Sequence, residues 1–209
     1  MTLNKEMSVA ELVSLTASAA PAPGGGAVSA LAGAFGAALA GMVASLTLGK
    51  KDCEDVRWQM AAVIEKTRRI REELLEDMKR DAEAFDAYMA ALAMPKGTED
   101  EKASRGGAMQ KALKAAAAVP LAVAARAAEI IPLTELVVRE GNKNAVTDGL
   151  VGAMLSRAAV RGALLNVRIN LNSIADAAYV AEMRSECAKL EAKAAGEEEA
   201  VLALAPELF

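Results

Sequence analysis

The pattern of apolar and polar positions is helical almost from end to end. No run of β-branched residues alternates with polar ones as strands require, and no hairpin turn is present. Ser8-Val9-Ala10-Glu11 has capping-box spacing and predicts a helix to about Ala19, which Pro21 to Gly26 then breaks. From Leu12 to Gly49 no residue is charged, and Ala27 to Leu48 predicts a wholly buried helix with Gly49 at its cap. Lys50 and Lys51 follow at the negative end of its dipole. Asp52 is placed to cap a very long helix to about Ala93, stopped by Pro95 and Gly97. Thr98-Glu99-Asp100-Glu101 repeats the capping box. The helix it opens is expected to end before Pro120, with Pro120 starting the next and Pro132 marking a kink or boundary. Gly141-Asn142-Lys143-Asn144 reads as a turn. A helix from about Ala145 to Asn172 and a last one from about Ser173 to Ala195 follow, with Glu197 to Glu199 as a solvated acidic patch. No repeat or linker divides the 209 residues, so the expectation is one all-α domain over residues 1–209. Its architecture is a bundle of long helices in an up-and-down arrangement, completed by dimerisation.

Composition narrows this picture. Apolar residues make up 54% of the chain but aromatic ones only 3%, so the core is built from Ala, Leu, Val, Ile and Met. Small side chains let helix axes approach closely. The uncharged stretch also has the length of a membrane span, with Gly33, Ala37, Gly41 and Ser45 spaced four apart. It is mostly Ala, Gly and Ser, no aromatic belt flanks it, and no second such segment stands out. The preferred reading is therefore a buried central helix whose small faces meet other helices, within the chain or across a dimer axis. Lys5 and Glu6 precede no apolar signal segment, so a soluble cytoplasmic protein is expected. The net charge of −4 argues against general nucleic-acid binding. With no histidine, Ser-His-Asp, Cys-His and His-metal chemistries are excluded. Cys53 and Cys187 form no CxxC pair and cannot build a metal site alone.

The remaining chemistry rests on carboxylates, amides, Lys, Tyr and backbone groups. Leu74, Met78, Phe85, Tyr88 and Leu92 form an apolar stripe at alternating spacings of four and three once Asp81 is counted in it. A carboxylate buried there has two outcomes. It pairs with a buried cation, or its pKa rises and it becomes a general acid/base. Asp148, Gly152, Leu155, Ala159, Gly162 and Asn166 share a second stripe, with Asn170 and Ser173 near its continuation. Its polar groups can satisfy one another or a ligand's amide edge. Pro23-Gly24-Gly25-Gly26 precedes a helix N-terminus, whose free N–H groups can hold an anion or a carbonyl. It is neither a P-loop nor a dinucleotide fingerprint. Lys50, Lys51 and Arg57 form one basic cluster, and Arg157, Arg161 and Arg168 share a later helix. Either is ordinarily a solvated face, and either can dock an anionic tail.

Three stretches carry a resemblance. They are Ala22-Pro-Gly-Gly-Gly-Ala-Val-Ser-Ala-Leu31, continuing to Gly49-Lys-Lys51; Asp81-Ala-Glu-Ala-Phe-Asp-Ala-Tyr88 with Met94-Pro-Lys96; and Gly141-Asn-Lys-Asn144 through Asp148 to Asn166-Val-Arg-Ile-Asn-Leu171. Together with Val119-Pro120-Leu121, and in this order, they resemble the cyclodeaminase domain of formiminotransferase-cyclodeaminase and the bacterial methenyltetrahydrofolate cyclohydrolases. Ala27 departs from the Ser that many relatives carry after the glycines, which removes a hydroxyl from the loop. The resemblance implies an all-α homodimer that binds tetrahydrofolate derivatives between helices and needs no metal or redox cofactor. It assigns the acid/base to Asp81, the residue the periodicity singles out. Substrate contacts are expected from Gly24, Gly25, Gly26, Phe85, Tyr88, Asn142, Asp148, Asn166 and Asn170, with Lys50 and Lys51 on the glutamate tail. For a stand-alone chain the first expectation is cyclohydrolase and the second cyclodeaminase. The competing class, a non-enzymatic helical interaction protein, gives no reason for Asp81 to stand on an apolar stripe.

Overall fold

The computed structural model describes residues 7–50 and 53–208, and among them it holds six α-helices and no strand. They are α1 (Val9–Thr16), α2 (Gly25–Leu48), α3 (Arg57–Leu92), α4 (Glu99–Glu140), α5 (Val146–Leu171) and α6 (Ala177–Leu202). Single 3-10 turns precede α3 and α5. The expected all-α bundle is the observed fold. Asp52, the expected cap of α3, lies outside the described residues, and α3 follows the 3-10 turn Glu54–Val56.

The central element is α2, which packs against α3, α4 and α5. Expected to be wholly buried, it buries only half of its 24 residues, most of them Ala and Gly, and leaves the larger Val28, Phe35, Met42 and Leu46 exposed on the side away from α3, α4 and α5. The approach to α5 is tight enough that a Cβ on Gly36 would stand 2.9 Å from the Gly152 carbonyl oxygen. Any larger residue there would push on backbone, which has nowhere to move.

Both predicted capping boxes form. The Glu11 amide donates to Ser8 Oγ at 3.3 Å and Glu11 Oε2 accepts from the Ser8 amide at 2.8 Å; Thr98 and Glu101 repeat the pair at 3.2 and 3.0 Å. The first helix stops at Thr16 rather than Ala19, because Ser18 turns its hydroxyl back to the Leu15 carbonyl.

Two sequence expectations are overturned in the second half. Neither Pro120 nor Pro132 ends a helix: α4 runs unbroken over 42 residues. A proline inside a helix costs about 3 kcal/mol or more. Here Val123, Ala124, Ala127, Ala128, Ile130 and Ile131 are all buried, and that apolar burial offsets the lost backbone bonds. Nor is Glu197 to Glu199 a solvated patch beyond the last helix, since α6 continues to Leu202. Val201 beyond them is buried, and Glu198 leans back to within 3.7 Å of Arg157 on α5.

A buried ion pair ties α3 to α4. Asp77, 1% exposed, meets Arg126 at 2.6 Å and Arg80 at 3.1 Å, while Arg126 also reaches Glu73 at 3.0 Å. Three helical segments among the described residues, not one, are long and apolar enough to cross a membrane: Gly25–Leu48, Glu99–Glu140 and Lys143–Leu171. The sequence pattern hid the second because Arg126 interrupts it. Half or more of each apolar window is buried inside the bundle.

Candidate active site

A pocket of about 450 Å³ opens where the loop before α2 meets α3, α4 and the last turns of α5. Ligand pockets of small-molecule enzymes fall in this size range. Asp81 enters it from α3, with Phe85 one turn along and Tyr88 beyond; Gly24 comes from the end of the loop, Gly25 and Gly26 from the first turn of α2, and Asn166 and Asn170 from α5. The structure thus gathers Asp81 and seven of the expected substrate contacts around one space.

Asp81 has no cationic partner among the described residues. Burial pushes its carboxyl above the usual carboxylate range, and the Ala27 backbone N–H beside it pulls the other way. That amide belongs to the first turn of α2, where N–H groups lack helical partners and the dipole is positive. The N-cap residue, Gly24, has no side chain to supply, so α3 supplies the acceptor instead. The group used at position 27 is the backbone N–H, which Ala offers as well as Ser. Gly26 makes the contact possible: a Cβ there would lie 2.5 Å from Asp81 Oδ2 and 2.6 Å from its Cγ. Gly25 sits in the same way against Asn166, whose Nδ2 would be 3.3 Å from a Cβ.

The two asparagines are braced by backbone. Asn166 Nδ2 donates to the Gly162 carbonyl at 2.9 Å. Asn170 Nδ2 donates to the Asn166 carbonyl at 2.9 Å and, across to α4, to the Ala116 carbonyl at 2.8 Å. The turn after α5, which adds Asn172 and Ser173 to the pocket, is clamped by Gln110. Gln110 donates to the Ser173 carbonyl at 3.0 Å and accepts from the Ala175 amide at 2.8 Å. Sequence reasoning passed over Ala116, Leu113 and Ile169, which also line the pocket. They are apolar residues with no chemical signature, and only the helix packing puts them there.

The remaining expected contacts lie apart. Lys50 follows the far end of α2, and 24 helical residues span about 36 Å. Asn142 is at that same far end, its amide donating to Thr47 Oγ1 at 2.9 Å and its Oδ1 accepting from the Asn144 amide at 3.1 Å. Asp148 shares a stripe with Asn166 but stands in the first turn of α5, about 27 Å away along the axis. Within one chain none of these three lines the pocket. Lys51 lies outside the described residues.

The pocket's one carboxylate is desolvated and has no cationic partner among the described residues, and amides and two aromatic rings surround it; that is the make-up of a small-molecule site in an all-α protein. The family model of formiminotransferase-cyclodeaminase matches residues 8–189. The chain is 43% identical over 178 residues to methenyltetrahydrofolate cyclohydrolase of Methylorubrum extorquens, covering 85% of this chain and 86% of that one. It is 37% identical over 183 residues to formimidoyltransferase-cyclodeaminase of Gallus gallus, covering 88% of this chain but only 34% of that longer protein. The crystal structure of formiminotetrahydrofolate cyclodeaminase from Thermotoga maritima superposes with a TM-score of 0.87 at 35% identity, covering 97% of each chain. The chain belongs to the formiminotransferase-cyclodeaminase family and is an enzyme of folate one-carbon chemistry.

The Gly26–Asp81 contact makes a direct prediction. Gly26→Ala should displace the carboxylate from the Ala27 amide and lower turnover by about 10²-fold, the usual effect of an ångström of misplacement. Alanine favours the helix over glycine, so the melting temperature should not fall in step. Steady-state rates and thermal melts on one preparation check both halves.

Proposed function

We propose that this chain hydrolyses 5,10-methenyltetrahydrofolate to 10-formyltetrahydrofolate, with Asp81 as the general acid/base. The observation that carries the reading is the unpaired, desolvated Asp81 carboxylate in the pocket. The methenyl carbon bridges N5 and N10 and is cationic, so it attracts both a carboxylate and a water. Asp81 takes a proton from the water as its oxygen bonds to that carbon. The hydroxyl of the tetrahedral adduct then gives its proton to solvent as the carbon–N5 bond breaks, Asp81 returns the first proton to N5, and the formyl group stays on N10. One proton is released overall, and the step needs no metal or redox cofactor. An oxygen held at the positive end of α2 is well placed to stabilise the cation before attack.

The second reading is the cyclodeaminase reaction, in which N10 attacks the formimino carbon on N5 and ammonia leaves. Its support is the Thermotoga relative, which matches over nearly the whole of both chains. The same carboxyl would take the N10 proton and protonate the departing nitrogen. Offering 5,10-methenyltetrahydrofolate and 5-formiminotetrahydrofolate separately, and following methenyl absorbance, distinguishes them: it falls in the first reaction and rises in the second.

For either reaction Asp81→Asn should lower turnover by about 10²–10⁴-fold while folate binding persists, because Asn still accepts from the Ala27 amide but moves no proton. The sign of the stability effect follows from linkage. A native carboxyl with raised pKa holds its proton to higher pH than the unfolded one. Its burial therefore costs stability as pH climbs from the usual carboxylate range through the raised value. Asn escapes that cost, so at pH 8 the variant should melt no lower than the parent. A folded variant with near-normal turnover rules out the assignment.

The reading takes the enzyme to be a soluble cytoplasmic homodimer. Val28, Phe35 and Met42 on α2, with Val151, Met154 and Leu165 on the adjoining α5, leave large apolar side chains exposed along one face, in which the exposed Arg161 stands between Met154 and Leu165. Such a face, running the length of α2, suits a second antiparallel copy of itself. Light scattering without detergent should give a dimer, and Phe35→Glu should give a monomer; a parent that is already monomeric ends this reading.

The folate glutamate tail is assigned to cations nearer the pocket than Lys50. Arg168 and Arg184 line a depression of about 390 Å³ that shares Ile169 and Asn172 with the pocket. Arg168 is paired with Glu191, whereas Arg184 has no acidic partner among the described residues. Arg184→Gln should raise the KM for a triglutamyl substrate by about two- to fivefold, the range for an exposed ion pair, and leave the monoglutamyl KM nearly unchanged. Equal effects on both substrates would return Arg184 to the solvent.

A further inference from the structure

We infer that Pro120 is a positioning residue: by withholding a backbone N–H it frees the Ala116 carbonyl to aim Asn170 into the pocket. In a helix the carbonyl of residue 116 accepts from the N–H of residue 120, and proline has none. The freed oxygen is met by Asn170 Nδ2 at 2.8 Å, from a residue 54 positions away on α5. The second N–H of the same amide goes to the Asn166 carbonyl at 2.9 Å. Both neighbours are carbonyl oxygens, so only the amide nitrogen can face them and the orientation is chemically determined. Both donors are spent. Oδ1 is the atom left over, it has no donor among the described residues, and Asn170 lines the pocket. The position is thereby set as a pure acceptor beside the Asp81 carboxylate, which suits a ligand edge that carries N–H groups, such as the aminopyrimidinone end of a pterin.

The other helix proline serves as an internal control. Pro132 frees the Ala128 carbonyl in the same way, yet no side chain among the described residues donates to it. A side-chain donor is therefore not an automatic companion of a proline in α4. Among the two, the one that receives it is the one whose freed carbonyl, that of Ala116, lies in the pocket lining.

This inference rests on the folate reading above, and the test separates the two. Calorimetry with tetrahydrofolate and steady-state kinetics would be run on the parent, Pro120→Ala, Pro120→Val, Asn170→Ala and Pro120→Ala/Asn170→Ala. Both Pro120 replacements restore the N–H, and valine nearly keeps the volume. Each should melt at or above the parent temperature. Each should also weaken tetrahydrofolate binding and raise KM by about tenfold, one unsatisfied or misdirected hydrogen bond, with a smaller change in kcat. Asn170→Ala should give the same KM increase, and the double variant should be no worse than either single one, since both remove one interaction. Parent-like Kd and KM in Pro120→Ala and Pro120→Val would overturn the inference while leaving the folate reading intact. So would losses in the double variant that add, or a fall of kcat, KM performance and melting temperature together. A parent protein that binds no tetrahydrofolate would overturn both.

Discussion

The amino end of α2 pressed against Asp81 is the contact on which the site depends. Three features make it possible, and each is a matter of what α2 lacks. It lacks charge, so it can run through the middle of the bundle. It lacks bulk at Gly36, so it lies close to α5. It lacks a Cβ at Gly26 and a capping side chain at Gly24, so its first free amides are left for a carboxylate from another helix. A helix N-terminus in the interior must find an acceptor or leave buried donors unsatisfied. Here that acceptor is Asp81, the group to which the proposed mechanism gives the acid/base role, so the contact that serves the helix end also positions the carboxylate.

The amides around the pocket follow the same logic. Asn166 and Asn170 spend their N–H groups on carbonyls of their own helix and of α4, and so face the open space with their remaining valences fixed by backbone. Polar groups anchored to helices rather than to loops lose little order when a ligand arrives.

Much of this is legible in the sequence, and the reasons it stops being legible are physical. The uncharged run to Gly49 specifies a central helix because no other environment suits it. The Leu74–Leu92 stripe places Asp81 because helical periodicity is local. Thr98 and Glu101 mark a helix start because the capping box is a contact between neighbours in sequence. Pro120 and Pro132 mislead because their local cost is outweighed by burial against helices that are distant in sequence. Periodicity likewise puts Asp148 and Asn166 on one face but says nothing about axial position, and in a long helix that separates them by about 27 Å. Lys50 is remote from the pocket of its own chain for the same reason, since being next to a glycine-led helix is not the same as being next to its glycine end.

The two outcomes open to a buried carboxylate on this helix fall on different residues: Asp77 is the one in an ion pair, and Asp81 stands without a cation among the described residues. Asp77 and Asp81 stand one helical turn apart on α3. Burial pushes both upward, but the opposing causes differ: Arg126 and Arg80 hold Asp77 down, and only a backbone amide opposes the shift at Asp81. Arg126 is divided between Asp77 and Glu73, and Arg80 also turns to Asp77, so the nearby guanidinium groups are already taken before α3 reaches the pocket. A buried ion pair adds little net stability, but an unpaired charge beside it would be costly to either partner. The consequence is a division of labour along one helix face. Asp77, held by Arg126 and Arg80, ties α3 to α4 one turn before Asp81 projects. Asp81, without a cation among the described residues, is pushed above the usual carboxylate range by burial, which is the property the proposed acid/base role uses.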